Sequence, residues 1–159
     1  MDNFTLFHVA LSLVGIATGF VVIAGLIVGK RLDRLTGVFL VTTLMTSVTG
    51  FMFPYHGVTP GIVIGVISVI VLAVAIAARY QRHLVGGWRK TYAITAVIAQ
   101  YFNFFVLIVQ LFQKVPALHA MAPTLSGAPF VVAQSLALVL FIVLGIASTV
   151  RFKELVPAV

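Results

Sequence analysis

The stretch that decides the fold runs from residue 35 to residue 78 and reads LTGVFLVTTLMTSVTGFMFPYHGVTPGIVIGVISVIVLAVAIAA. It contains no charged residue, and it is about twice as long as the roughly 20 residues that an α-helix needs to cross a bilayer. Pro54 and Pro60 interrupt it, with Gly57 between them. Because proline removes a backbone donor and glycine favours turns, the stretch predicts two membrane-spanning helices joined by a hairpin loop.

Three further apolar stretches flank this pair. Residues 3–29 and 91–113 each suit one helix, and residues 115–150 hold a proline-rich loop followed by one more helix. Hydrophobic residues make up 62% of the chain and charged residues 8%, which is typical of neither soluble nor disordered proteins. The sequence predicts an all-α, polytopic membrane bundle in a single domain, 1–159, with five transmembrane helices at about 4–28, 35–53, 60–79, 91–113 and 129–151.

The positive charges indicate how the bundle is oriented. The net charge is +7, from 10 Lys and Arg against 3 Asp and Glu. All cations except Lys114 fall on one side of a five-helix bundle: Lys30, Arg31, Arg34, Arg79, Arg82, Arg89, Lys90, Arg151 and Lys153. Since basic loops stay in the cytoplasm, this pattern predicts an N-out, C-in protein of the bacterial inner membrane. The partner that these charges indicate is the lipid bilayer, and not nucleic acid.

The residue types that the sequence lacks argue against several kinds of function. The chain contains no cysteine, which excludes disulfides, thiolate metal sites and cysteine nucleophiles. No Asp or Glu lies inside a predicted span, which disfavours a carboxylate-driven antiporter. Ser126 has no elbow motif or acidic partner, so the sequence predicts no hydrolase and favours a protein that is not an enzyme.

The fourth predicted helix carries a polar stripe. Its members follow a helical spacing of 3, 4, 3 and 4 residues: Gln100, Asn103, Leu107, Gln110 and Lys114. Unpaired amides are costly in hydrocarbon, so this face must look into the bundle, into water, or toward a partner subunit. Gln134 of the fifth predicted helix is a candidate partner for it. Interhelical hydrogen bonding and a ligand or ion site are both consistent with the stripe.

Three of the four histidines fall on the predicted outer side. His8 begins the first span, and His56 and His119 lie in the two outer loops. Neutral imidazoles bind zinc, copper and haem iron, so these residues are candidate ligands for a haem or a divalent metal. No pair has the spacing of ligands on one helical turn, and the alternative is that they bond backbone groups of the loops.

The two outer loops carry the one resemblance that the sequence suggests. The segments His56-Gly57-Val58-Thr59-Pro60 and Lys114-Val115-Pro116-Ala117-Leu118-His119-Ala120 resemble those of a family of small bacterial inner-membrane proteins. The likeness extends over nearly the whole chain. That family has no established function, so the resemblance implies a membrane protein of similar size and no activity.

The sequence leaves three functions open. The first is binding of a small ligand or cofactor, namely haem, a metal ion or a quinone-like lipid, at the outer face. The second is a transporter or channel for small solutes or ions along the polar stripe. The third is a structural role, as an accessory subunit of a larger membrane complex or as a homo-oligomeric scaffold, because small residues on several helices suit close helix contacts.

Overall fold

A computed structural model describes residues 2–54, 57 and 60–153. These residues form six α-helices and no strand, and 83% of them are helical. The helices are α1 (Asn3–Ile27), α2 (Asp33–Gly50), α3 (Pro60–Ile76), α4 (Gly87–Lys114), α5 (Pro116–Met121) and α6 (Ala128–Arg151). The predicted all-α fold is confirmed, and the fifth predicted span corresponds to α6.

Four helical segments of the described chain are long and apolar enough to cross a membrane. They are Asn3–Ile27, Gly61–Gln81, Gly87–Lys114 and Ala128–Arg151. A multi-pass membrane protein therefore agrees with the structure. The remaining long helix, α2, has 18 residues and is less hydrophobic because it begins with Asp33 and Arg34 and carries six hydroxyl side chains.

The hydroxyls of α2 are nevertheless compatible with an apolar surrounding. Thr42 donates to the carbonyl of Val38 at 2.7 Å, and Thr49 donates to that of Met45 at 2.7 Å. Ser47 makes the same bond one turn back to Thr43. A hydroxyl bonded to its own helix is satisfied without water, so these side chains do not prevent α2 from lying in lipid.

The observed helices differ from the predicted spans and loops at three places. The apolar run of α3 continues into a π-helical turn, Ala77–Gln81. α4 already begins at Gly87, before the basic pair Arg89 and Lys90. The proline-rich connection before α6 contains the short helix α5, which Pro116 starts at a position where its missing N–H is not needed.

The long helices pack side by side, and α1 also contacts α6. α2 lies between α1 and α3, α4 packs against α1, α3 and α6, and the main core lies between α1, α2, α3 and α4. Phe39, Leu72 and Tyr92 are fully buried there. At the start of α1, Thr5 donates its backbone N–H to Asp2 at 2.7 Å. Hydrogen bonding from the Thr5 side chain, and then from this backbone N–H, holds the pKa of Asp2 below its usual value.

Each end of the bundle has its own chemistry. We call the end formed by residues 28–34, 79–90 and 151–153 the basic end, because nine of the ten Lys and Arg residues lie there. The opposite end holds the N-terminus of α1, the C-terminus of α2, and α5 with its flanking segments. His8 and His119 belong to the opposite end.

Candidate functional site

Gln100 of the polar stripe is buried between helices. Its side chain has no exposed surface, and its amide Nε2 donates to the backbone carbonyl of Ile16 on α1 at 2.8 Å. The space for it comes from Gly19, where an added Cβ would overlap the Gln100 amide and lie 2.8 Å from Phe39. Gln100 therefore joins α4 to α1 in the middle of the bundle.

Asn103 makes the neighbouring link, to α2. Its amide Nδ2 donates to the hydroxyl of Thr43 at 3.0 Å. Gly15 of α1 lies next to the same threonine, since a Cβ there would approach the hydroxyls of Thr42 and Thr43 at 3.2 Å. This part of the stripe is thus a three-helix seam in which small residues let polar side chains meet.

The stripe is more exposed toward the C-terminal end of α4, which precedes α5. Leu107 is half-buried, whereas Gln110 and Lys114 are exposed. Gln134 of α6 donates to the backbone carbonyl of Phe105 at 3.2 Å and so binds α4 through its main chain. The structure brings Gln100 and Asn103 into one seam, and it places Gln110, Lys114 and Gln134 outside it.

His8 bonds to the end of α2. Its Nδ1 lies 2.8 Å from the Thr49 hydroxyl, and its ring meets Phe53 edge-on at 5.1 Å between centroids. Because the single hydroxyl proton of Thr49 is directed at Met45, Nδ1 of His8 acts as the donor. Its Nε2 then carries the lone pair that a neutral imidazole offers to a ligand.

His119 has a similar arrangement on α5. Its Nδ1 lies 3.3 Å from the carbonyl of Phe112, and only the nitrogen can donate in that pair. His56 lies outside the described residues. Within the described part of the chain, no group of three or more His, Cys, Asp or Glu side chains has the geometry of a metal site. The histidine site stays a prediction.

An apolar groove lies between α4 and α6, toward the basic end. Its volume is about 470 Å³, which is within the range of small-molecule sites. Its lining residues include Val97 and Tyr101 of α4 and Phe141, Ile142, Gly145, Ile146 and Thr149 of α6. Tyr101 and Phe141 stack in a tilted pair at 5.6 Å, which closes the end of the groove near the bundle centre.

Polar groups are few along this α4–α6 groove. The hydroxyl of Thr149 is already used, because it donates to the carbonyl of Gly145 at 2.7 Å. The other hydroxyl among the described lining side chains is that of Tyr101. Gly145 has no side chain, and an added Cβ would lie 3.6 Å from Val97. Sequence reasoning missed the groove, although Gly145 with Thr149 one turn later was a signal that α6 approaches α4 there.

No family model, curated protein or solved structure matches this chain. The α4–α6 groove offers a volume suited to an apolar molecule, and the stripe offers hydrogen bonds that are already used between helices.

A second feature that the sequence did not predict is a buried arginine at the basic end. Arg79 lies in the π-helical turn after α3, is 4% exposed, and forms an ion pair with Asp33 of α2. Its guanidinium also lies 5.1 Å from the ring of Tyr92 on α4. The sequence places Arg79 at the boundary between the third predicted span and a basic loop, and in the structure it connects α2, α3 and α4.

Proposed function

We propose that this chain is a single five-span domain of the bacterial inner membrane, N-out and C-in, and that it binds a quinone-like lipid in the α4–α6 groove. The observation that carries the binding proposal is the size and apolar lining of that groove. The topology is supported by the four long apolar helices, by the three hydroxyls that bond within α2 (Thr42, Ser47 and Thr49), and by the cations at one end.

The groove favours a quinone-like lipid over the other ligands that the sequence suggested. A metal ion needs several oxygen, nitrogen or sulfur ligands, and haem needs an axial ligand for its iron. The described groove residues include no histidine, cysteine, methionine or carboxylate. A quinone head needs hydrogen-bond donors for its carbonyls, and the Tyr101 hydroxyl is one; its isoprenoid tail needs only apolar surface.

The location differs from the outer-face pocket expected from the stripe and the loops. The groove uses the first half of α4 and the last part of α6, so it lies toward the cytoplasm in an N-out protein. It is also a different face of α4 from that of Gln100, which packs on α1. Quinone entry would be sideways from the lipid, because the groove is open along the bundle surface.

The test titrates purified protein with decylubiquinone and follows binding by the rise in melting temperature. Ile146→Trp should fill the groove and weaken binding at least about tenfold, whereas Val139→Trp, on an exposed part of α6 outside the groove, should not change it. Tyr101→Phe should weaken binding by about 2- to 10-fold, the value of one hydrogen bond.

A smaller substitution in the groove tests whether Ile146→Trp weakens binding because it fills the groove. Gly145→Ala adds a methyl at ordinary contact distance and should leave decylubiquinone binding almost intact. Wild-type protein that does not respond to decylubiquinone, or equal binding by Ile146→Trp and Val139→Trp, would reject the groove as the site. Transport and a scaffold role remain hypotheses with no geometric feature that favours them over binding.

A further inference from the structure

The connection between α4 and α6 lies at the end of the bundle opposite the basic end, and its inner side packs on the two helices that it joins. Leu118 of α5 and the buried Ala122 belong to the same apolar cluster as Phe112 of α4 and Phe130 of α6. The rings of Phe112 and Phe130 meet edge-on at 5.5 Å. We call residues 115–127, all of which are described, the α5 connection; packing fixes its position on the bundle.

The outer side of α5 is apolar as well. Its one polar side chain is His119, whose Nδ1 donates to the carbonyl of Phe112 and so bonds toward α4. Every other exposed side chain of α5 is apolar, and Met121 is 61% exposed; the set comprises Pro116, Ala117, Ala120 and Met121. A surface helix in water typically places polar residues opposite its packed side. α5 lacks such residues, which indicates an apolar surrounding on its outer side.

The exposed apolar surface of α4 continues into the α5 connection. Leu111 is exposed in the last turn of α4, and α4 is one of the helices long and apolar enough to cross a membrane. Val115 follows one turn later, is also exposed, and donates its N–H to the carbonyl of Leu111 at 2.9 Å. Lipid that contacts Leu111 on α4 can therefore contact Val115 and, next to it, the outer side of α5.

The backbone of the α5 connection is bonded within the protein, as a segment with little access to water requires. The N–H of His119 donates to the carbonyl of Val115 at 2.9 Å, and the N–H of Ala122 donates to that of Leu118 at 3.1 Å. Pro116, at the start of α5, has no N–H to satisfy. These bonds remove the main cost of placing this segment in contact with lipid.

The polar side chains around α5 suit the boundary between lipid and water. Lys114 is exposed directly before the α5 connection, and a lysine can lay its apolar stem along a lipid-facing surface while its ammonium group reaches the lipid phosphates. After α5, the exposed hydroxyls of Thr124 and Ser126 lie 3.0 Å apart. The apolar α5 is thus bordered by polar side chains, an order that is typical of segments at a membrane interface.

We propose that the α5 connection lies in the membrane interface and that the outer side of α5 contacts phospholipid at the boundary between head groups and acyl chains. Interfacial segments bury their apolar face about 5–10 Å into this boundary. The contact holds α4 and α6 at a fixed depth at this end of the bundle. It requires only that α4 and α6 span the membrane, and it is independent of the orientation of the bundle and of quinone binding.

The experiment places a single tryptophan in the α5 connection. Trp88 is the only tryptophan of the chain, so Trp88→Phe provides a background without one and keeps an aromatic ring beside Arg82. Met121→Trp and Ala117→Trp put the probe on the outer side of α5, and Thr124→Trp puts a matched probe on the exposed polar part of the same connection. Each variant is reconstituted into phosphatidylcholine vesicles. Its fluorescence is quenched with iodide in the water, or with lipids brominated near the head-group end or near the methyl end of the acyl chain.

We expect Met121→Trp and Ala117→Trp to emit at shorter wavelength than Thr124→Trp, to lose several-fold less fluorescence to iodide, and to be quenched most strongly by bromine near the head-group end. Two probe positions separate this result from a local distortion at either one. Emission and iodide quenching equal to those of Thr124→Trp would overturn the proposal, because α5 would then face water. Strongest quenching from the methyl end would place α5 deeper than the interface, and quenching by neither agent would mean that protein, such as a second copy, covers it; each result also overturns the proposal.

Discussion

At the scale of single residues, Gly19 shows how closely the helices approach. A Cβ at this position would overlap the buried amide of Gln100 and come within 2.8 Å of the Phe39 ring. We expect Gly19→Ala to lower the free energy of unfolding by about 1–3 kcal/mol, because neither neighbour has room to move. This change in stability is measured by thermal unfolding in mild detergent, with circular dichroism as the signal.

The matched control for Gly19→Ala is Gly145→Ala. A Cβ at Gly145 would lie at an ordinary contact distance, 3.6 Å from Val97. Alanine is also the better helix former by up to about 1 kcal/mol, so this variant should be as stable as the wild type or slightly more stable. Equal destabilisation by the two variants would contradict a special close approach at Gly19.

His8 allows its structural role to be separated from ligand binding. Through Thr49 it ties α1 to α2, so His8→Ala should lower the melting temperature whether or not a ligand is bound. The haem or metal hypothesis adds that purified protein carries visible absorbance or metal, which His8→Ala, His56→Ala or His119→Ala removes. Optical spectra and metal analysis measure this, and colourless, metal-free, fully stable wild-type protein would reject the haem and metal hypothesis.

At the scale of elements, α4 divides its polar stripe between two environments. Gln100 and Asn103 bond to α1 and α2, while Gln110 is exposed. We expect Gln100→Leu and Asn103→Leu each to cost about 1 kcal/mol of stability, since one interhelical hydrogen bond is lost, and Gln110→Leu to cost almost nothing. Thermal unfolding of the three variants in one detergent tests this order.

The conduction hypothesis makes a different prediction for the same helix. If the stripe lines a path, Asn103→Leu and Gln110→Leu stop solute flux in liposomes and leave the protein folded. Unchanged flux, together with a loss of stability for Asn103→Leu but not for Gln110→Leu, would assign the stripe to packing.

The ion pair between α2 and the π-helical turn is also a property of elements. Arg79 is buried while the Asp33 side chain is mostly exposed, so removing the carboxylate leaves a buried charge without its partner. We expect Asp33→Asn to cost about 1–3 kcal/mol. Arg34→Gln, one residue away and exposed, serves as the control. A melting temperature for Asp33→Asn equal to that of the control would mean that the pair does not stabilise the bundle.

At the scale of the whole molecule, topology can be tested with single cysteines because the chain has none of its own. In intact bacterial cells, Pro54→Cys and Ser126→Cys should react with a membrane-impermeant maleimide. Arg34→Cys and Lys90→Cys should react only after permeabilisation. Reaction of Arg34→Cys and Pro54→Cys from the same side would show that α2 does not span the membrane.

Individual residues show which features could be predicted from the sequence and which could not. Charge-free runs predicted the helical fold, because an apolar helix satisfies its own backbone in lipid. The sequence predicted that the stripe needs partners, but spacing within α4 alone gives no indication that the partners of Gln100 and Asn103 are Ile16 and Thr43. The sequence counted Arg79 only among the basic residues at the end of the third span, because an ion pair with Asp33, 46 residues away, leaves no local pattern.

The fold class could be predicted from the sequence alone because the length and hydrophobicity of each apolar run are local properties. The thickness of the bilayer sets the length that a spanning helix needs. Only the tertiary structure decided how the stretch from residue 35 to residue 78 packs: α2 takes a central place between α1 and α3 through its threonines, while α3 ends in the turn that buries Arg79. The α4–α6 groove likewise exists only between helices, because it needs side chains of two distant segments that meet when the bundle forms.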